Sequence, residues 1–571
     1  MKKFLATTLA AISALTLSVA TACGQQSKIM DGDAYVITVY RGRDSGMTDG
    51  DRDEAVKQAI EEKFYRDTGT KISLNLQLYT NTDLVTTVDV NFNNDRENID
   101  GIMHYLSEDK GSAITKYAKD SQATIDLDAI LSESGQQILS KIRENDPEHL
   151  SDRSGYFYDG ENYHRNALTS VAKEGGFGML MRKDLMREAF NAGKIDLDPE
   201  DYDITNDGYK SMTVSEFDKV LRAIKGTDAR MTPLNGQPWD LARVVATAYG
   251  VDGMASFAKD KSGNYVPAQF TEEWPKYVEL MYTWARDGIW EDESGQTTDD
   301  MRVTNLISGK AAAYCAYPTA EELIKVSKRF YAANPEAELM VIAPFASEDA
   351  SGKSLYNADG TQVVNGNLKT PRSFYGMIVP YKSANYRYLI EFLNWTYSSA
   401  ENYELCLYGV KGVDWVDGED FVYGGKTYKT WAYPSGKEEE YSVKPPYTGK
   451  YLLLPNLNVS NRISALYNTT EKAWYTSLYF DFPQYGTTEL EGIWLQETPR
   501  DYATQLADIE GDYVDNIRSY AWAGQMKEGK TPVEILKEYV EEKKVKDAEY
   551  LSYINTELKR AKAFFNEKYK A

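Results

Sequence analysis

Between Ala34 and Leu106 the chain sets a strand, an amphipathic helix and two further strands in close succession, and that order restricts the folds open to it. AYVITVY (34–40) reads as a strand. Asp53 to Asp67 places Ala55, Ala59, Ile60 and Phe64 at helical spacing, Thr68-Gly69 stops the helix, and KISLNLQL (71–78) returns as a strand. IDGIMHYL supplies the next one. Strand-helix-strand crossovers of this kind predict an α/β fold of parallel sheets flanked by helices. Later helices carry start signals: Thr213 and Glu216 form a capping box before VSEFDKVLRAIK, and Thr531, Pro532 and Glu534 do the same for EILKEYVEEKK. Arg286-Asp287-Gly288 closes another. The stretch 417–450, rich in Gly, Tyr, Lys and Pro, reads as a long loop or hairpin insertion.

With 571 residues, 42% of them hydrophobic, the chain exceeds a single core, so two or more lobes are expected. Its 87 acidic and 64 basic side chains leave a net charge of −23, a field that repels nucleic acid and anionic lipid and disfavours polyanionic polymers as ligands.

Enzyme signatures are missing. The three histidines, His104, His149 and His164, start no HExxH pair, and no GxSxG elbow occurs. Gly424-Gly425-Lys426-Thr427 mimics the end of a phosphate loop, but Asp420 stands where its leading glycine belongs. Asp203, Thr205, Asp207 and Gly208 follow the start of a calcium loop, yet Val214 occupies the closing glutamate position. A turn is therefore expected there, with Glu216 as the residue that would close a variant site. Among 87 carboxylates some pair at glycosidase separation arises by chance. No catalytic residue, cofactor or metal site is expected.

The amino terminus is more specific. Lys2 and Lys3 precede an uncharged stretch from Phe4 to Ala20, then Ala20-Thr21-Ala22 and Cys23. This order reads as an export signal. A cysteine directly after small residues resembles the lipobox of bacterial lipoproteins, whose thiol receives diacylglycerol; Ala20 stands where that family usually has Leu. The alternative is a simple secretory signal with a chance cysteine. Residues 1–23 are thus expected to be signal and lipidated cysteine, 24–33 a tether, and the remainder a body outside the membrane, held by its lipid alone. Cys315 and Cys406 are expected to be buried free thiols, with a disulfide between them left open.

Four segments, in order, resemble extracellular solute-binding proteins of carbohydrate ABC importers. IEEKFYRDTGTKISLNL (60–76) matches their first helix-turn-strand, and MLMRKDLM (179–186) the strand-to-helix step after the first crossing between lobes. NLISGKAAAYCAY (305–317) is similar to the approach to the second crossing, and FYGMIVPYKSANYRYLIEFLNWTYSSAENYELCLYGVKG (374–412) to the third. The resemblance covers most of 34–412; maltose-binding protein is a smaller, distant cousin. It implies a two-lobed periplasmic-binding-protein fold with the ligand cleft between lobes, one lobe from 34–168 plus 314–374 and the other from 169–313 plus 375–571. It also implies a monomer that captures an oligosaccharide and delivers it to permease subunits, without nucleic acid. The competing readings are a secreted carbohydrate-active enzyme and a carbohydrate-binding adhesion module.

Tyrosine is abundant, 43 residues against 18 Phe and 10 Trp, and Tyr and Trp offer the apolar face and polar edge that sugar rings complement. By position, Arg41, Arg43 and Asp44 follow the first strand where the cousin holds sugar hydroxyls. His104 stands where it has a stacking tryptophan, with Tyr105 beside it. Trp239 falls where it has a tyrosine against the sugar, Tyr317 and Tyr375 sit at the second and third crossings, and Trp415 follows YGVKG near the hinge. Each could instead pack or half-cover the surface. Trp395, mid-helix with Phe392 and Leu389, reads as core.

Overall fold

A computed structural model describes residues 28–43, 49–94, 98–106, 114–120, 122–146, 149–171, 178–236, 238–251, 257–290, 299–315, 319–365, 375–482 and 508–570. The first lobe opens with β1 (Ala34–Arg43), α1 (Asp53–Thr68), β2 (Ile72–Thr80) and β3 (Gly101–Tyr105), and reaches β4 (Ala167–Thr169). The second begins at β5 (Met179–Arg182) and adds α2 (Val214–Lys225), β6 (Leu234–Gly236), α3 (Trp274–Arg286), β7 (Ala313–Cys315), α4 (Ala320–Ala333) and β8 (Leu339–Val341). The chain then returns to the first lobe with β9 (Tyr375–Ile378), α5 (Tyr386–Ser398) and α6 (Ala400–Tyr408). Next come β10 (Val416–Asp417), β11 (Phe421–Tyr423), β12 (Lys426–Tyr428), β13 (Thr430–Ala432), β14 (Ile463–Ser464) and α7 (Thr469–Thr476), and the chain ends in α8 (Pro532–Lys546) and α9 (Ala548–Lys568).

β1 is the spine of the first sheet. It pairs in parallel with β2 from Tyr35↔Ile72 to Arg43↔Thr80, and with β3 from Val39↔Gly101 to Arg41↔Met103. β9 then runs antiparallel to both β3 and β4. Because successive side chains in a strand point to opposite faces, this sheet feeds two cores. Val39, Met103 and Met377 pack with Phe64, Phe392 and Leu393 from α1 and α5, while Tyr40, Ile102 and Ile378 pack with Leu84 and Val88 on the other side. Trp395 is core, its ring edge-on to Phe64 and its indole N–H donated to Asp67.

The second sheet has the order β8-β5-β7-β6, antiparallel except for β7 with β6. Phe217, Leu221 and Trp284 from α2 and α3 cover it, and Ile463, Trp474 and Leu478 join the same core from the far end of the chain. Both sheets are therefore mixed rather than parallel. The capping boxes at Thr213–Glu216 and Thr531–Glu534 form as their sequences predict. Cys315 and Cys406 are free, buried thiols. Among the described residues no helix is long and apolar enough to cross a membrane.

The lobe boundaries differ from the expected ones. The described strands within 314–374 do not return to the first lobe: β7 bonds to β5 and β6, and β8 bonds to β5. Conversely β9 lies in the first sheet, and the buried apolar residues of Leu389 to Cys406 and of Tyr447 to Leu454 pack in the first core. The ambiguity is physical, since AAAYCAY is apolar throughout and fits a sheet buried on both faces in either lobe.

Later crossings run side by side. β10 pairs antiparallel with β13, and β13 pairs in parallel with β14, so three connecting segments form one small sheet between the lobes. The β11–β12 hairpin turns on Gly424 and Gly425, whose φ angles of 55° and 73° both lie in the left-handed region. A two-residue turn of that shape needs such residues, and this accounts for the phosphate-loop mimic. Finally, α9 straps the two lobes together. Tyr550, Ile554 and Leu558 pack on Tyr265 and Phe270 of the second lobe, whereas Ala561 and Phe565 pack on Tyr156 of the first.

Candidate functional site

A cavity of about 890 Å³ lies where the lobes and the small crossing sheet meet. Its first-lobe wall carries Tyr105, from the end of β3, with Tyr403 and Tyr408 of α6. Trp431 and Tyr433 enter from β13 and the residues just after it. The second-lobe wall carries Tyr467, Tyr475 and Tyr479, with Thr319 and Glu321 at the start of α4.

Aromatic rings organise this space. Tyr408 stacks on Trp431 with centroids 5.3 Å apart and planes 29° from parallel, and Trp431 meets Tyr433 edge-on at 5.2 Å. On the opposite wall Tyr475 and Tyr479 meet edge-on at 4.7 Å, because α7 continues into a π-helical turn (Ser477–Asp481) that keeps both on one side. The Tyr479 hydroxyl donates to Glu321. Burial pushes the Tyr433, Tyr475 and Tyr479 phenols up, so they stay protonated; the Tyr475 hydroxyl donates to Asn461 at 2.9 Å and that of Tyr479 also accepts from the Ala320 N–H at 3.2 Å. Flat apolar faces rimmed by neutral hydroxyls suit a ligand with C–H faces and hydroxyl edges. Among the described lining residues Glu321 is the one carboxylate.

The residues singled out in the sequence divide into several groups. Tyr105 lines the cavity, and Tyr375 stands edge-on behind it at 5.5 Å, its hydroxyl donating to the Gly42 carbonyl at 2.8 Å. His104 is 1% exposed and packs against Gly42, where a Cβ would lie 2.8 Å from the imidazole. It supports the wall from behind. Arg41 is also buried; its Nη1 donates to the carbonyls of Lys450 and Leu452, both at 3.1 Å, and so fixes the segment that brings Leu452 to the cavity. Trp415 is 2% exposed, with its indole N–H on the Gly409 carbonyl at 3.1 Å, and lies beneath Arg462 rather than in the open cleft. The side chains of Arg43 and Trp239, together with Asp44, Tyr317 and Cys23, lie outside the described residues.

Asp203 to Gly208 forms a turn. One Asp203 oxygen accepts from the Thr205 N–H and hydroxyl at 2.9 and 2.7 Å, and the other pairs with Lys183 at 2.6 Å. Glu216 is engaged in capping α2. Among the described residues no group of three or more His, Cys, Asp or Glu is arranged to hold a metal.

Sequence reasoning missed Tyr408, Trp431, Tyr433, Tyr467, Tyr475 and Tyr479. The WAY triplet (431–433) sat in a segment read as an insertion, and nothing in the sequence separates Tyr475 and Tyr479 from the other tyrosines, since Tyr447 and Tyr451 share their four-residue spacing.

No family model matches the chain, and no curated protein matches its sequence. Solved structures do match, over nearly its whole length. An HMO-binding, ABC-transporter-associated solute-binding protein from Bifidobacterium longum infantis gives a TM-score of 0.61 at 12% identity, covering 92% of this chain and 99% of its own. The N-glycan transport solute-binding protein NgtS from Streptococcus pneumoniae gives 0.57 at 13%, covering 92% and 98%. The ABC-transporter substrate-binding protein FusA from S. pneumoniae, an EF-hand mutant in complex with fructo-nystose, gives 0.54 at 11%, covering 92% and 99%. At such identities the likeness establishes the fold: a two-lobed α/β solute-binding-protein fold.

Proposed function

We propose that this chain is the solute-binding component of an ABC importer, capturing an oligosaccharide outside the membrane and delivering it to permease subunits. The carrying observation is the cavity between the lobes, whose walls carry tyrosines from both sides and Trp431 from the crossing sheet, with Lys328, Arg462 and Glu321 as the described charged residues. The fold adds support: among the proteins that share it are ones named for HMO binding, N-glycan transport, alginate binding and a fructo-nystose complex. Its ligand is a neutral or weakly charged glycan held by stacking and hydroxyl contacts, and binding is reversible. Lobe closure by hinge motion buries the ligand, as in other clefts between α/β lobes. Cys23 carries the lipid that tethers the body to the outer face of the cell membrane. The body acts as a monomer and performs no chemistry on its cargo.

Native mass spectrometry after incubation with malto-, fructo- and manno-oligosaccharides tests this. A one-to-one adduct at the mass of the intact sugar is expected. Shortened sugars in solution would assign the chain to carbohydrate-active enzymes. Mass analysis of the membrane-extracted protein is expected to show diacylglycerol on Cys23 as the first residue, and an unmodified amino terminus would remove the anchor.

A further inference from the structure

The cavity has one residue that belongs to both lobes and to the segments joining them. Arg462 lines the cavity and directly precedes β14, whose Ile463 packs in the second core. Its Nε and Nη2 donate to Glu404 at 2.5 and 3.2 Å, and Glu404 lies on α6, whose Tyr403 and Cys406 pack in the first core. Nη1 donates to Asp417 of β10 at 2.9 Å and to the Thr430 carbonyl of β13 at 3.2 Å. The guanidinium lies over the Trp415 ring at 5.1 Å. One side chain therefore ties together all three strands of the crossing sheet and a helix of the first lobe.

We propose that Arg462 is the positioning residue of the hinge and also a ligand contact, so that ligand occupancy and lobe angle are linked through it. A guanidinium has five N–H donors, and the bonds above use four. The fifth, on Nη2, is left for an acceptor oxygen of a ligand in the cavity. Rotation of the lobes shears the crossing sheet and must move Arg462 against Glu404, a carboxylate 5% exposed that needs a partner wherever it goes. A ligand oxygen on the fifth donor holds the guanidinium in one orientation and so selects one lobe angle. Lysine cannot replace it, because a point charge does not reach four acceptors in the plane of a fork. The ligand half of this proposal rests on the carbohydrate reading above; the hinge half does not.

The test pairs Arg462→Lys with spin labels on Cys substituted at Tyr65 in the first lobe and Leu355 in the second, both exposed, with Cys315 and Cys406 buried. Without ligand, the inter-lobe distance distribution of Arg462→Lys should broaden or shift relative to the parent. Coincident distributions would overturn the hinge role. Arg222→Lys, which weakens pairs to Asp218 and Asp287 within the second lobe, is the control and should leave the distances unchanged. If Arg462→Lys fails to fold, the Arg462→Gln, Glu404→Gln pair, which leaves no lone buried charge, takes its place. In titrations with malto-, fructo- and manno-oligosaccharides, losing the charge-assisted bond should weaken binding about tenfold. Unchanged affinity would overturn the ligand contact. A parent protein that binds no sugar, combined with altered distances in Arg462→Lys, would refute the carbohydrate reading and keep the hinge.

Discussion

Two tryptophans sixteen residues apart have opposite duties, and substitution separates them. Trp431 shows one face to the cavity and stacks its other on Tyr408, whereas Trp415 is sealed between Tyr408 and the Arg462 guanidinium. Trp431→Ala is expected to lose about 1–3 kcal/mol of ligand binding, read by calorimetry, with little change in melting temperature. Trp415→Ala should cost about 3–5 kcal/mol of folding stability in denaturant titration, the range for emptying a filled aromatic site. A second residue-scale expectation concerns pH. Burial alone would raise the Asp152 carboxyl, but Arg165 and Arg143 beside it and the Tyr569 hydroxyl hold it at about 2, below the ordinary 3.8. A lowered folded value means that the stabilisation is complete above the unfolded pKa and is lost as pH falls through the folded one. That difference corresponds to about 2 kcal/mol, present at pH 5 and gone below pH 2. Asp152→Asn should flatten that part of the stability–pH curve, and a curve unchanged in slope would refute the assignment.

At the scale of elements, α9 spans roughly 30 Å with each half on a different lobe. Its foot on the first lobe is dense: Phe565 is 1% exposed, Tyr569 stacks on His149 at 4.1 Å, and Lys568 reaches Asp128 at 3.0 Å. Phe565→Ala is expected to cost about 3 kcal/mol or more and to raise amide exchange together in 149–165 and in the second half of α9. Exchange rising in α9 alone would mean that the foot does not stabilise the first lobe. This strap had no counterpart in the sequence reading, because a helix pattern shows an apolar face and not what covers it. Local signals were legible. The strands expected at 34–40 and 71–78, which fold as 34–43 and 72–80, the capping boxes and the stop at Gly288 all depend on neighbours in the chain. Sheet membership was not, since β7 and β9 find partners more than sixty residues away and are apolar enough for either lobe. The site was legible only in part. Tyr105 reaches the cavity from a strand end that could be located, but His104 and Arg41, equally well placed along the sequence, turn into the packing.

For the whole molecule, two lobes joined by a three-stranded crossing sheet and one helical strap form a hinge with a cleft in front of it. The aromatic walls come from both lobes, so neither lobe alone can hold a ligand between faces. Closure is therefore expected to accompany binding and to shrink the radius of gyration in solution scattering; an unchanged radius at saturation would argue for a rigid cleft. Apolar faces buried against sugar rings should also give binding a negative heat-capacity change.

The most direct test is calorimetric titration of the purified protein with neutral oligosaccharides, Trp431→Ala alongside, followed by mass analysis of the recovered sugar. Saturable one-to-one binding of intact sugar, weakened in Trp431→Ala, is the predicted result. Absence of heat across malto-, fructo- and manno-oligosaccharides, or equal affinity in the variant, would contradict a cleft built to hold sugar between aromatic walls.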